Sequence, residues 1–131
     1  MATKVSGLTE KLYQGNPVLG YTDTETVKLD FDDVTFRTVR YWASRTMKWH
    51  KLEGYIIFKS SEKCYHVVFN RPVSWSENMS IVAWVSLLSH KETLKKWLEM
   101  QCIKKASTLR VSPKKEKSAP RVVCRARALR D

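Results

Sequence analysis

Asp30 and Asp32 sit one residue apart in the stretch VKLDFDDV (27–34), where Val27, Leu29 and Phe31 share one face at period two and Lys28, Asp30 and Asp32 the other. Two carboxylates on one face of a strand, about 6.5–7 Å apart at their Cα atoms, repel each other unless a counter-charge neutralises them. A hard divalent cation does this. Mg2+, or Mn2+ in its place, takes one or two carboxylates and fills its shell with substrate phosphates. Such an ion can steady the charge that develops in phosphoryl transfer. A histidine and basic side chains beside it would hold the phosphates; His66, in CYHVVFN (64–70), is the candidate, with Arg110 or Lys114 at the edge. A second reading of the same residues stands open. DFDD also looks like a strand end entering a helix that Asp32 or Asp33 caps, with Asp30 and Asp32 as surface acids paired to arginines. His66 equally suits a hydrogen-bonded structural histidine.

The charge balance points to what the acids sit among. The 131 residues carry a formal net charge of +11. Residues 104–131 hold ten Lys/Arg against two acids, Glu116 and Asp131, a net of +8, while the other 103 residues hold fourteen against eleven, a net of +3. A polycation concentrated at one end suits a polyanionic partner, nucleic acid before an anionic membrane, or else a solvated tail. The three cysteines, Cys64, Cys102 and Cys124, are odd in number and far apart, which signals neither a disulfide framework nor a zinc site. No apolar run is long enough for a membrane span, and MATKVSGLTEKL lacks a secretory apolar region. An intracellular, cytoplasmic protein with no membrane contact is the expectation.

The elements that must position these residues can be placed by period and punctuation. Residues 9–14 suit a short helix, and GNP (15–17) a turn. A strand over 26–32 leads into a helix reaching Trp49, with Val34, Val39, Trp42, Ala43, Thr46 and Met47 on its buried face and Arg37, Arg40, Arg45 and Lys48 outside. YIIFKS (55–60) and CYHVVFN (64–70), joined by the polar SSEK (60–63), read as a hairpin. Capping boxes Ser74/Glu77 and Ser89/Glu92 open two helices, or one bent helix, over 76–104. TLRVS (108–112) is a strand, PKKEKSAP a charged loop, and RVVCRARAL a further strand with Arg125 and Arg127 on one face. The order β-α-β-β-α-β is the split, ferredoxin-like pattern: an α+β fold with helices on one face of a four-stranded antiparallel sheet. Its first and third strands are neighbours, so Asp30, Asp32 and His66 should meet on the face left free.

In this order the residues resemble the core of the archaeo-eukaryotic primase family, the primase-polymerases of archaea, plasmids and viruses. The acid–x–acid pair Asp30-Phe31-Asp32 is similar to its first signature. Ser60 or Ser61 followed by Tyr65-His66-Val67 is similar to its second. The resemblance covers about residues 26–114 and implies a core like an RNA-recognition motif (RRM), preceded by an extension (1–25) and followed by a basic segment (113–131) open to adding a strand. It implies catalytic metals on Asp30 and Asp32, His66 on a nucleotide phosphate, and a small archaeal viral or plasmid protein, in the host cytoplasm if viral. The family's third signature places an acid on a later strand, where this chain has Arg110. That departure weakens the hold on a second metal. A rolling-circle nuclease is disfavoured because His66 has no paired histidine at 64 or 68.

Three functions follow as expectations. In the first, the chain is a non-catalytic nucleic-acid binder, DNA or RNA, with a degenerate primase-like core. Its phosphate contacts are drawn from Ser60, Ser61, Lys63, Arg110, Lys114, Lys115, Arg121, Arg125 and Arg127, and Tyr55 or Tyr65 stacks bases if the sheet register exposes them. In the second it is a minimal nucleotidyl transferase acting on nucleotide triphosphates, with Asp30, Asp32 and His66 catalytic. In the third it is a small viral assembly protein, a monomer or a homodimer joined through Trp75, Trp84 and Trp97.

Overall fold

The structure is a computed structural model describing residues 7–129; residues 1–6 of the expected extension and 130–131 of the basic segment lie outside the described residues. Along the chain run β1 (Gly7–Tyr13), β2 (Asn16–Asp23), β3 (Lys28–Phe31), α1 (Phe36–Trp49), β4 (Gly54–Ser61), β5 (Cys64–Asn70), α2 (Trp75–Ser89), α3 (Glu92–Lys104), β6 (Ser107–Arg110) and β7 (Arg121–Arg127). The fold is α+β, with two antiparallel sheets ordered β3-β5-β4-β7 and β1-β2-β6.

The β4–β5 hairpin and its neighbour β3 follow the alternation of their sequences. Leu29, Phe31, Ile57 and Val67 are fully buried. They pack with Val39 and Ala43 of α1, Ile81, Val82 and Val85 of α2, and Leu94 of α3. Each of the Val, Leu, Ile and Phe side chains contributes about 1.5–3 kcal/mol on burial. Ser74 caps α2 as its sequence suggests, its side chain accepting from Glu77 N at 3.1 Å.

Elsewhere the structure corrects the expectations. Residues 9–14 are not helical: β1 and β2 form a hairpin whose two-residue turn, Gln14 (φ 51°) and Gly15 (φ 81°), has both residues left-handed, which matches the twist of the strands it joins. Pro17 is tolerated in β2 because the β6 pairing begins only at Gly20, leaving Pro17 without a partner on that side. The cap of α1 is Thr35, whose Oγ1 accepts from Thr38 N at 3.2 Å; Asp33 is instead left-handed (φ 54°). Ser89 ends α2 rather than opening α3, whose N-cap is Lys91 without a side-chain bond. The strand expected at 108–112 does not join the main sheet. As β6 it pairs with β2, and β7 instead extends the main sheet at β4.

These differences remove half of the expected free face. At β3 and β5 the side away from the helices meets the small sheet, and the tie is Lys28. Its side chain is 1% exposed, and Nζ donates to Asp23 Oδ1 on β2 at 2.5 Å, Ser107 Oγ on β6 at 2.8 Å and the Thr26 carbonyl at 3.2 Å. Burial pulls the Lys28 pKa down and Asp23 opposes the fall. Burial alone would raise Asp23, but bonds from Lys28 and Thr26 outweigh it and hold the carboxylate below its ordinary range. Asn78 of α2 is also buried and donates Nδ2 to the Thr24 and Thr26 carbonyls at 3.1 and 3.0 Å, pinning the intervening loop from the helical side.

Truncating one partner of this pair strands the other charge. Lys28→Met is expected to destabilise by about 3–5 kcal/mol, and Asp23→Asn/Lys28→Met to recover most of the loss. Urea unfolding midpoints of the two variants check this, and equal stability of wild type and Lys28→Met would rule the clamp out.

Candidate functional site

Asp30 and His66 are direct register partners across β3 and β5, on the face away from the helices. His66 Nε2 lies 3.5 Å from Asp30 Oδ1. His66 is buried, and the Asp30 side chain is 24% exposed. Asp32 stands one residue beyond β3 and is exposed. Burial pushes the Asp30 carboxyl up to about 7, helped by Asp32 and opposed by Arg110, Lys117 and Lys114. Burial, with Arg110 second, holds the His66 imidazole down to about 4. In the interval between, the carboxyl is protonated and the imidazole neutral, so the contact is not an ion pair.

Arg110 lies on β6, in the other sheet, and its guanidinium bonds to backbone. Nη1 donates to the Ser112 and Ser118 carbonyls at 2.5 and 2.9 Å, and Nη2 to the Ser60 carbonyl at 2.9 Å. Ser60 is buried and contributes that carbonyl. Arg110 is therefore a staple that fastens the loop after β6 to the end of β4. The loop turns back on itself through paired backbone bonds between Lys114 and Lys117, and Lys114 Nζ rests 4.2 Å from the Tyr13 ring centroid. Lys115 (φ 54°) and Lys117 are exposed at the turn. Lys63 is exposed and left-handed in the β4–β5 turn, and its carbonyl accepts from Val34 N; Ser61 adjoins a bulge in β4.

The remaining basic residues lie on β7. Arg125 opposes Ile56 and Arg127 opposes Gly54 on β4, two residues apart and so on one face, and Arg121 opposes Lys59 at the other end. All three are exposed. The structure thus brings Asp30, His66 and Arg110 together, with Lys114 and Lys117 near enough to act on Asp30, and carries Arg125 and Arg127 to the part of the outer face that the small sheet leaves open. Between the sheets lies a cavity of about 440 Å³ lined by Tyr21, Ile56, Phe58, Val68, Leu109 and His66, among others. Tyr55 and Tyr65, proposed from sequence as stacking rings, are buried in the core; in the lining of this cavity Tyr21 is 40% exposed. Trp84 and Trp97 pack against the core, while Trp49 is 70% exposed. The sequence signal for Trp49 was its place among outward-facing cations at the end of α1.

The acids do not fit a two-metal centre. Among the described residues no three His, Cys, Asp or Glu side chains converge as a metal site. Asp30 and His66 offer two donors, Asp32 lies beyond the end of β3 and is exposed, and the charges that act on Asp30 besides Asp32 are cations. Asp32 disfavours a further negative charge there, and Arg110, Lys117 and Lys114 favour one.

The opposed shifts make a test. The Asp30 contribution to stability is full below its ordinary pKa of 3.8 and lost as pH rises through about 7. That of His66 is full above 6.5 and lost as pH falls through about 4. From pH 4 to 6.5 the two slopes cancel, so the pair leaves wild-type stability flat. Asp30→Asn is expected to lose on the order of 3 kcal/mol on acidification across that interval, and His66→Gln to lose a similar amount on moving from pH 4 to 7. Urea titrations at a series of pH values decide it; parallel profiles for both variants would contradict the assignment.

Comparison of the chain with protein-family models, with curated proteins and with solved structures returns no match in any of the three.

Proposed function

We propose that this protein binds nucleic acid through the basic edge formed by β7 and the loop that precedes it. One observation carries the reading. The described cations from Arg110 onward are carried by β6, a stapled loop and an edge strand, with the side chains of Lys115, Lys117, Arg121, Arg125 and Arg127 exposed. Rigid cations in a row release counterions from a polyanion without first losing the conformational freedom of a flexible tail. The cavity beside them, with Tyr21 and Phe58 in its lining, offers ring faces to a base.

The strand order β3-β5-β4, with α1 and α2 behind it, is read as the three-strand heart of a split, RRM-like core of the primase-polymerase kind. Nucleotidyl transfer with Mg2+ or Mn2+ on Asp30 and Asp32 is the second reading, and the direct Asp30–His66 pairing is in its favour. The cations grouped on Asp30 favour a phosphate over a metal there, and for that reason binding is the primary reading. No helix among the described residues is long and apolar enough to cross a membrane.

Affinity for single-stranded oligonucleotides, measured by fluorescence anisotropy at several salt concentrations, should fall linearly on a double-logarithmic plot. Arg125→Glu/Arg127→Glu should weaken binding and reduce the slope by at least about 1.4. Asp30→Asn should bind at least as tightly as wild type at pH 8, because it removes a negative charge from the pocket. A salt-independent affinity, or unchanged binding by the double Glu variant, would end this reading; template-directed incorporation lost in Asp30→Asn would replace it with the catalytic one.

A further inference from the structure

The face of α1 directed away from the core is unusual for a helix that only covers a sheet. From Val34 to Leu52 there is no acidic residue, while Arg37, Arg40, Arg45, Lys48 and Lys51 are all exposed. Arg37, Tyr41, Arg45 and Lys48 recur at helical spacing and form one stripe. Among the described residues none of these cations lies within ion-pair distance of a carboxylate. The stripe holds like charges on neighbouring turns, an arrangement that destabilises a helix unless an anion covers it.

Aromatic rings are interleaved with the charges and held in place. Trp84 is braced edge-on by Trp42 and His50, with centroids at 6.4 and 4.8 Å. Trp49 lies flat on Trp84, 6.1 Å between centroids and 12° between planes, and is itself 70% exposed. Its outer face is therefore an open ring surface at the end of an existing stack. Arg45 lies over the rings of Tyr41 and Trp42 at 5.5 and 5.8 Å and donates to the Tyr41 hydroxyl at 2.7 Å. Tyr41 is 50% exposed. Rings with open faces between fixed cations are what a single strand needs, since any base can stack and each phosphate finds a positive charge.

The stripe is continuous with β7. Lys48 and Lys51 at the end of α1 line one cleft with Arg127 at the end of β7, about 860 Å³ in volume, with Met47, Leu52, Ala128 and Leu129 as its apolar lining and Glu53 as its one acid, outnumbered by the three cations. From Arg127 the exposed arginines continue along β7 to Arg125, beyond which a bulge turns Arg121 to the other face, opposite Lys59. We infer that single-stranded nucleic acid leaves β7 through the Lys48–Lys51–Arg127 cleft and stacks a base on Trp49 along α1. This inference rests on the nucleic-acid reading of the preceding section and extends the bound path to the opposite, helical side of the main sheet. An anionic membrane is the other polyanion to consider. A ring laid parallel to its neighbour presents a face to a base and inserts little into lipid, which favours the nucleic acid.

The test titrates full-length wild type, Trp49→Ala, Trp49→Phe, Lys48→Gln/Lys51→Gln and Arg125→Glu/Arg127→Glu with oligothymidylate, oligouridylate, a duplex of matched length and vesicles rich in phosphatidylglycerol. Trp49→Ala should bind the single strands about tenfold more weakly with an unchanged salt slope, because stacking releases no counterions, and Trp49→Phe should regain most of the loss. Lys48→Gln/Lys51→Gln should lower the slope by about 1.4. The thymidylate and uridylate arms identify the sugar. Full binding by both the Trp49 and the Lys48/Lys51 variants, with loss only in the Arg125/Arg127 variant, overturns the path over α1 and leaves binding at β7 standing. Failure of wild type on every oligonucleotide overturns both. Equal or tighter binding to duplex, or vesicle binding that Trp49→Ala abolishes, overturns base stacking.

Discussion

A lysine with 1% of its surface exposed holds the two sheets of this protein together. An ammonium group taken out of water is costly to bury, and the loss is offset only when its charge and its hydrogens are met. Lys28 meets them with Asp23 from β2, Ser107 from β6 and the Thr26 carbonyl. The small sheet therefore seats on the main one in a single way, since any sliding leaves an ionised pair unmet. Asn78 repeats the constraint from the helical side by holding the loop that carries Asp23 into β3. With that register set, Leu109 and Tyr21 come over Val68 and His66, and the cavity between the sheets follows.

Seating the small sheet also determines where charge is allowed. Arg110, half-buried at the end of β6, donates to three carbonyls, which fastens the basic loop. Arg121, Arg125 and Arg127 on β7 and Arg37, Arg40, Arg45 and Lys48 on α1 are among the cations left exposed. Beside Arg110, Asp30 and His66 exchange the protonation states they would have in water, so neutral partners occupy a buried contact. A charge-free pair there avoids a second buried ion next to the Lys28 clamp.

Local pattern revealed some of this. β4 and β5 alternate cleanly and are bounded by a short polar turn, so their extents and facing residues follow from the sequence, and with them the meeting of Asp30 and His66. The alternation also put Lys28 correctly on the outer side, but what it meets there comes from residue 107, far along the chain. The β1–β2 hairpin was illegible for a related reason. Nearly every residue of β1 is exposed, so it carries no buried alternation, and the proline of β2 argues against a strand unless the short reach of β6 is known. Likewise tryptophan in an amphipathic helix usually belongs to a core. That Trp49 escapes it depends on where Trp84 of another helix lies.

The pairing of β2 with β6 has a consequence for synthesis. Thr22 and Thr108, bonded through their hydroxyls, are 86 positions apart. At ordinary translation rates the amino-terminal hairpin waits on the order of ten seconds for its neighbour to leave the ribosome. During that wait Leu8, Leu12 and Leu19, all well exposed even in the finished fold, have still less cover, and Asp23 and Lys28 remain hydrated. The small sheet can close only once β6 has emerged, after all three helices, and the main sheet only once β7 has followed it.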